Sequence, residues 1–152
     1  MFRKDREITE KSDIEAIIRN ATVCRIGMCD ANMPYIVPVC FGYRDDTIYV
    51  HGALRGQKID MLRNNTNVCF EFDSDPELVA AEKGCDWGIK YRSVIGFGKA
   101  AFLEDPESKR KALDIIMAQY TDRSFQYSEE AVKGTTVIKI TISSMTGKQA
   151  GY

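Results

Sequence analysis

The run Tyr49-Val50-His51-Gly52-Ala53-Leu54-Arg55-Gly56-Gln57-Lys58-Ile59-Asp60 carries most of the chemistry that this chain of 152 residues offers. It reads as a strand end, a turn of small residues and a helix N-terminus. Free backbone N–H groups and the positive end of a helix dipole suit a phosphate at such a terminus. Lys58 in the first turn adds a full positive charge, which is slightly unfavourable for an isolated helix and points to an anion nearby; a lysine solvated on a surface helix is the alternative. His51 is the only histidine. It shares a strand face with Thr47 and Tyr49, either as a proton donor or acceptor near pH 7 or as a hydrogen-bonded structural residue. Cys24, Cys29, Cys40, Cys69 and Cys85 include no C-x-x-C pair, so with one histidine no zinc set is expected. They read as small apolar strand residues kept as thiols.

The elements that position this segment follow from periodicity. Ser12 and Glu15 form a capping box, and Ile14, Ile17, Ile18 and Ala21 make the apolar stripe of a helix ending near Asn20. A strand over 22–29 meets turn chemistry at Asp30-Ala31-Asn32. Tyr35, Val37, Val39, Phe41 and Tyr43 alternate along one second strand, and Pro38 inside it implies an edge, a bulge or a backbone covered by ligand. Arg44-Asp45-Asp46 turns into a third strand over 47–53. A short helix spans 57–64 with Ile59 and Leu62 inward, and Val68, Phe70 and Phe72 mark a fourth strand. Residues 74–88 read as a loop, with a helical turn over 77–83 as the alternative. A long strand covers 91–103, where Gly96 and Gly98 permit coiling. Asp105-Pro106-Glu107 starts a helix whose apolar face holds Leu113, Ile116, Met117 and Tyr120. A last strand runs over 135–142, and 146–152 is a polar tail.

Six short strands with three peripheral helices predict a mainly β domain over residues 1–152, a small antiparallel barrel. Lysine plus arginine (21) nearly cancels aspartate plus glutamate (22), which disfavours a nucleic-acid partner. No stretch approaches the roughly 20 apolar residues of a membrane span. The charged N-terminus, Met1-Phe2-Arg3-Lys4-Asp5-Arg6-Glu7, has no apolar signal core, so a cytoplasmic protein is expected.

Four pieces, in order, resemble the pyridoxamine 5′-phosphate oxidase-like superfamily. They are Pro34-Tyr35-Ile36-Val37-Pro38-Val39-Cys40-Phe41, His51-Gly52-Ala53, Gly56-x-Lys58, and Tyr91-Arg92-Ser93-Val94-Ile95-Gly96-Phe97-Gly98. Within it the chain is most similar to the 5-nitroimidazole-resistance (Nim-type) flavoproteins, a likeness that extends to Arg3-Lys4-Asp5-Arg6-Glu7 and Phe70-Glu71. The resemblance implies a six-stranded, FMN-binding split barrel that forms a homodimer with FMN (flavin mononucleotide) between subunits. It places the Val37-Pro38-Val39 backbone along the flavin ring, and His51, Gly52 and Ala53 beside it. Gln57 and Lys58 hold the phosphate, and Ser93 reaches the flavin from its strand. It implies an FMN-dependent oxidoreductase that reduces a small oxidised substrate of the nitro-aromatic kind, with His51 as catalytic proton donor or substrate anchor. A non-catalytic flavin- or haem-binding module of the same barrel is the alternative. Relatives often carry Arg-Lys where this chain has Gln57-Lys58, which leaves Arg25 or Arg55 to supply the second charge. The stretch Thr146-Gly147-Lys148-Gln149-Ala150-Gly151-Tyr152 lacks the histidine-containing substrate motif of true pyridoxamine phosphate oxidases, so that activity is not expected.

Overall fold

The computed structural model describes residues 3–152. Met1 and Phe2, part of the charged N-terminus, lie outside the described residues. Eight strands form one antiparallel sheet: β1 (Glu7–Ile8), β2 (Cys24–Asp30), β3 (Met33–Val39), β4 (Phe41–Arg44), β5 (Thr47–Gly52), β6 (Asn67–Val79), β7 (Gly88–Leu103) and β8 (Thr136–Ala150). Their spatial order is β3-β2-β6-β7-β8-β5-β4, with β1 added on β8. β3 and β4 therefore occupy opposite edges of the sheet, yet Cys40 alone separates them in the chain. That crossing curls the sheet into a split barrel, the mainly β architecture expected from the strand pattern. Four helices flank it: α1 (Lys11–Asn20), α2 (Gln57–Asn64), α3 (Pro106–Ala118) and α4 (Glu129–Lys133).

The count of eight strands instead of six has two causes. The expected second strand splits at Cys40, because Val39 pairs with Cys24 whereas Phe41 pairs with Val50. The two-residue β1 pairs with Lys148 and Gly147 on β8. The β2–β3 and β4–β5 hairpin turns carry paired residues at positive φ, Ala31 and Asn32 in one and Asp45 and Asp46 in the other. This is the twist that tight antiparallel hairpins favour.

Several sequence expectations are corrected. Ser12 does not cap α1: the helix starts at Lys11, and Glu10 precedes it without a side-chain capping bond. The segment read as a loop begins as strand and is non-strand only over 80–87, since Glu77, Leu78 and Val79 pair with Lys90, Ile89 and Gly88 beyond an irregularity after Ser74. No helical turn forms over 77–83; a 3₁₀ turn occurs at Gly84–Asp86 instead. The stretch read as a polar tail is strand to Ala150, zipped against β7 from Tyr91 to Ile95. Tertiary ladder bonds there override weak local propensity. The buried face of α3 centres on Ala112, Ile115 and Ile116, with Leu113 and Met117 only half-buried. Of the cysteines, Cys24 alone is buried.

The core is aromatic at its centre. Phe41 and Phe72 have ring centroids 4.7 Å apart, and Phe70 and Phe72 5.8 Å. Such pairs add about 0.5–1.5 kcal/mol beyond the area they bury. Ile26, Ile48, Val50, Val94, Ile138 and Ile140 complete the wall, and Ile14, Ile17 and Ile18 of α1 close one side. Gly96 leaves room for the Phe70 ring, which a Cβ would strike. The β7 kink itself sits one residue on, where the register with β8 shifts between Phe97 and Gly98.

Candidate functional site

The crossing from β3 to β4 brings the first group of candidate residues together. β3 is an edge strand paired only with β2, which explains Pro38: it lies opposite Arg25, and its ring costs no ladder bond. Val37 and Val39 pack against the core, while Pro38 is exposed on the outer side. β5 runs past the crossing on the other side. The β4–β5 register ends at Phe41 with Val50, so the next step sets Cys40 across from His51. Val50 is buried and His51 exposed, as strand alternation requires. The free edge of β3 therefore borders the end of β5.

The turn after β5 leads into α2 through Gly56, whose φ of 139° and ψ of 164° belong to a region that side chains essentially forbid. Helical bonding starts there, with Ile59 and Asp60 N–H donating to Gly56 C=O at 2.9 and 3.1 Å. The N–H groups of Gln57 and Lys58 are left pointing out of the helix start. The Lys58 side chain folds back over the strand end, where a Cβ on Gly52 would lie 3.2 Å from Nζ. Among the described residues Lys58 has no carboxylate within ion-pair distance and no side-chain hydrogen bond. Burial pushes its ammonium below the ordinary lysine value. The imidazole of His51 is also pushed down, first by burial and then by the Lys58 charge. A half-buried cation without a counter-ion, beside free amides at a helix start, has the donor set of a phosphate site. FMN fits these residues: Lys58, Gln57 and the helix N-terminus would hold its phosphate, and the β3 edge would offer backbone to its ring.

Two expected contributors stand elsewhere. Arg25 is taken up by acids, since Nη1 donates to Glu71 Oε2 at 3.1 Å and also to Asp73. Arg55, in the turn before α2, is exposed and makes no ion pair among the described residues. Ser93 lies on β7 between Asp73 and Lys148, three strands from β3 in the sheet order. At about 4.8 Å per strand that is roughly 14 Å along the wall. Its neighbour Val94 points into the core, so Ser93 faces outward. One chain therefore does not join Ser93 to His51 and Lys58. The Ser93 face instead carries exposed apolar side chains, Ile36 at 65%, Phe97 at 59% and Ile95 at 50% exposure.

Tyr120 was legible only as part of the apolar face of α3. In the structure its hydroxyl lies at the crossing, accepting from Phe41 N–H and donating to Thr22 C=O, each at 3.0 Å. Its partners are 79 and 98 residues away in sequence, so no local signal could have found it.

Comparison with known proteins bears on this geometry. The family model of pyridoxamine 5′-phosphate oxidase matches residues 10–149. A candidate 5-nitroimidazole antibiotic resistance protein from Bacteroides thetaiotaomicron superposes with a TM-score of 0.85 at 43% identity, over 94% of this chain and 86% of that one. The FAD- and haem-binding protein of Mycobacterium smegmatis shares the fold at 16% identity, with a TM-score of 0.86 over 97% and 74% of the chains. So does a flavocytochrome from Azotobacter vinelandii, at 19% identity, with a TM-score of 0.83 over 96% and 70%. An uncharacterized protein of Rhizobium meliloti is 25% identical over 64 residues, 42% of each chain. The match over nearly the whole sequence, on a barrel whose crossing strand and following helix coincide with the motif residues, makes this chain a member of the pyridoxamine 5′-phosphate oxidase family.

Proposed function

We propose that this chain binds FMN in the cradle formed by the β3 edge, the end of β5 and the start of α2, and that it works as a reductase of small oxidised molecules. The observation that carries the reading is Lys58: a half-buried ammonium with no counter-ion among the described residues, folded over Gly52 beside two free helix amides. Bound FMN supplies electron transfer from a reduced nicotinamide or similar donor to the substrate. His51, at the strand end beside the ring's place, donates a proton to the reduced substrate or anchors it; its lowered value keeps the free protein's imidazole neutral at pH 7. The resemblance to a nitroimidazole-resistance protein at 43% identity makes nitro-aromatic compounds the first substrates to try.

The same reading makes the protein a homodimer with FMN between subunits. The cradle is a surface feature in one chain, with Pro38, His51, Ala53 and Gln57 all exposed, and the apolar outer sheet face that begins at Ile36 on β3 carries Ser93 further on, on β7. Two copies related so that the Ser93 face of one covers the cradle of the other would enclose the ring and cover Ile36, Ile95 and Phe97.

The test is spectroscopic. Purified protein reconstituted with FMN should be yellow, should bleach with a reduced nicotinamide and should regain colour on adding a nitro-aromatic. His51→Ala should keep its colour and lose most turnover. Protein that takes up no FMN at micromolar concentration removes the proposal. The haem-containing neighbours keep one second reading in play, a non-catalytic module with His51 as axial ligand; a Soret band after reconstitution with haem, lost in His51→Ala, would favour it.

A further inference from the structure

The barrel splits at Cys40, where one strand ladder ends and another begins. The β2–β3 ladder ends at Cys24 with Val39, the β4–β5 ladder begins at Phe41 with Val50, and Cys40 alone spans the interval. β3 is held on one side only, by β2. Among the described residues no ladder joins the end of β3 to the end of β5, and the two halves of the cradle sit on these two strands.

Thr22 C=O and Phe41 N–H flank this seam, and the Tyr120 hydroxyl stands between them, 3.0 Å from each. A hydroxyl accepts and donates at one atom, so it can relay a bond between a backbone donor and a backbone acceptor that do not meet. The ring is itself anchored. It packs edge-on to Phe41 with centroids 6.4 Å apart, and Tyr120 N–H closes the end of α3 on Met117 C=O at 3.0 Å. Next to it, Gln119 Nε2 donates among Ile18, Arg19 and Ala21 C=O, at 3.2, 3.0 and 2.9 Å. The end of α3 is thus fastened to the end of α1 just before β2 begins, and Tyr120 carries that fastening across the split. Burial raises the Tyr120 hydroxyl above the ordinary tyrosine value, so it keeps its proton and its donor role.

We infer that Tyr120 is a positioning residue for the cradle: by bridging Phe41 to Thr22 it sets the spacing between the Val37–Val39 edge and the His51–Gly52 strand end. The inference rests on the FMN reading, in which the ring lies along the first and the phosphate is held beside the second. A ligand that touches both halves feels any looseness of the seam as lost affinity, because the missing order must then be imposed on binding. A residue that merely adds stability would not single out the ligand.

Tyr120→Phe keeps the ring and removes the relay. Tyr43→Phe is its control: Tyr43 lies on the same short β4, but its hydroxyl donates to Glu15 at 3.0 Å and Asp46 at 3.2 Å, at the strand's far end. FMN dissociation constants by fluorescence quenching, thermal melts and exchange of the Phe41 amide would be compared. Tyr120→Phe is expected to weaken FMN about tenfold and to speed Phe41 exchange, whereas Tyr43→Phe stays within about twofold of wild type even where its melting point falls as far. Should the Phe variant not fold, Gln119→Ala, which unpins the same helix end, is expected to weaken FMN about threefold. Equal FMN affinity in Tyr120→Phe and wild type, equal losses in the two tyrosine variants, or a fallback Gln119→Ala that binds as wild type would each overturn the inference and leave the FMN reading standing. Wild type that binds no FMN would take down both.

Discussion

The Lys58 ammonium rests against Gly52, so closely that a Cβ on the glycine would lie 3.2 Å from Nζ and 3.5 Å from Cε. The contact aims a side chain from the first turn of α2 back over the end of β5. A Cβ there would shift the cation by a few tenths of an ångström. Gly52→Ala is expected to leave stability nearly unchanged, because the displaced atoms are the far end of a flexible side chain. It should weaken FMN several-fold, by less than the loss in Lys58→Met, when the two are titrated side by side.

Lys58→Met separates stability from binding. Without ligand, burial disfavours the charged lysine, so the variant should melt no lower than wild type and slightly higher. Its FMN affinity should fall by about 1.5–3 kcal/mol, the worth of a charge-assisted hydrogen bond, or more than tenfold. Paired calorimetric and binding measurements check both signs; a variant that loses stability and keeps FMN contradicts the assignment.

Gly56 is the one position in the cradle where backbone conformation dictates the residue, because its φ is 139°. Nothing lies within 4 Å of an added Cβ, so the cost of Gly56→Ala is conformational alone, about 1–3 kcal/mol. Chemical denaturation should show that loss, and FMN binding should suffer with it as the helix start shifts.

For His51 the sign follows from its depressed value, caused by burial and then by Lys58. The unfolded imidazole, near 6.5, binds a proton before the folded one does. Stability is therefore unaffected at pH 7.5 and above, erodes as pH falls through about 6.5, and levels off below the folded value. Since the residue is exposed, the total should stay below about 1 kcal/mol. Denaturation curves at pH 7.5 and 5.5 should show a larger loss in wild type than in His51→Gln, and equal losses would mean that His51 is unperturbed.

The Ser93 face supplies a prediction about assembly. Phe97→Glu places a charge among Ile36 and Ile95 and should convert a dimer to a monomer in light scattering, with FMN affinity falling in step. Alkylation of Cys69, which lies opposite Phe97 in the β6–β7 register, should do the same. A wild-type monomer that binds FMN tightly would refute the shared site.

How much of this was legible depended on whether the cause was local. The alternation from Tyr35 to Tyr43, the cap at Asp105 and the Gly56-to-Lys58 helix start are short-range signals, and they located the strand pair around Cys40 and the starts of α3 and α2 correctly. Asp105 does accept from Ser108 N–H, at 2.8 Å. The break at Cys40 was invisible, because alternation continues through it while the partner strand changes from β2 to β5. The strand from Thr146 to Ala150 was missed for a similar reason: its polar residues are held by the β7 ladder, not by their own preference. Arg25 looked available as a charge and is claimed by Glu71 and Asp73, residues more than forty positions away. Tyr120 belongs to the same class, a side chain whose role exists only once the barrel has closed.

Recognition of a flavin's phosphate by Lys58 and the start of α2 is decided by titrating wild type and Lys58→Met with FMN and with riboflavin, which differ only in that phosphate. Wild type should prefer FMN by at least about tenfold and the variant should lose that preference. Equal affinity of wild type for the two flavins, or an undiminished preference in Lys58→Met, would contradict it.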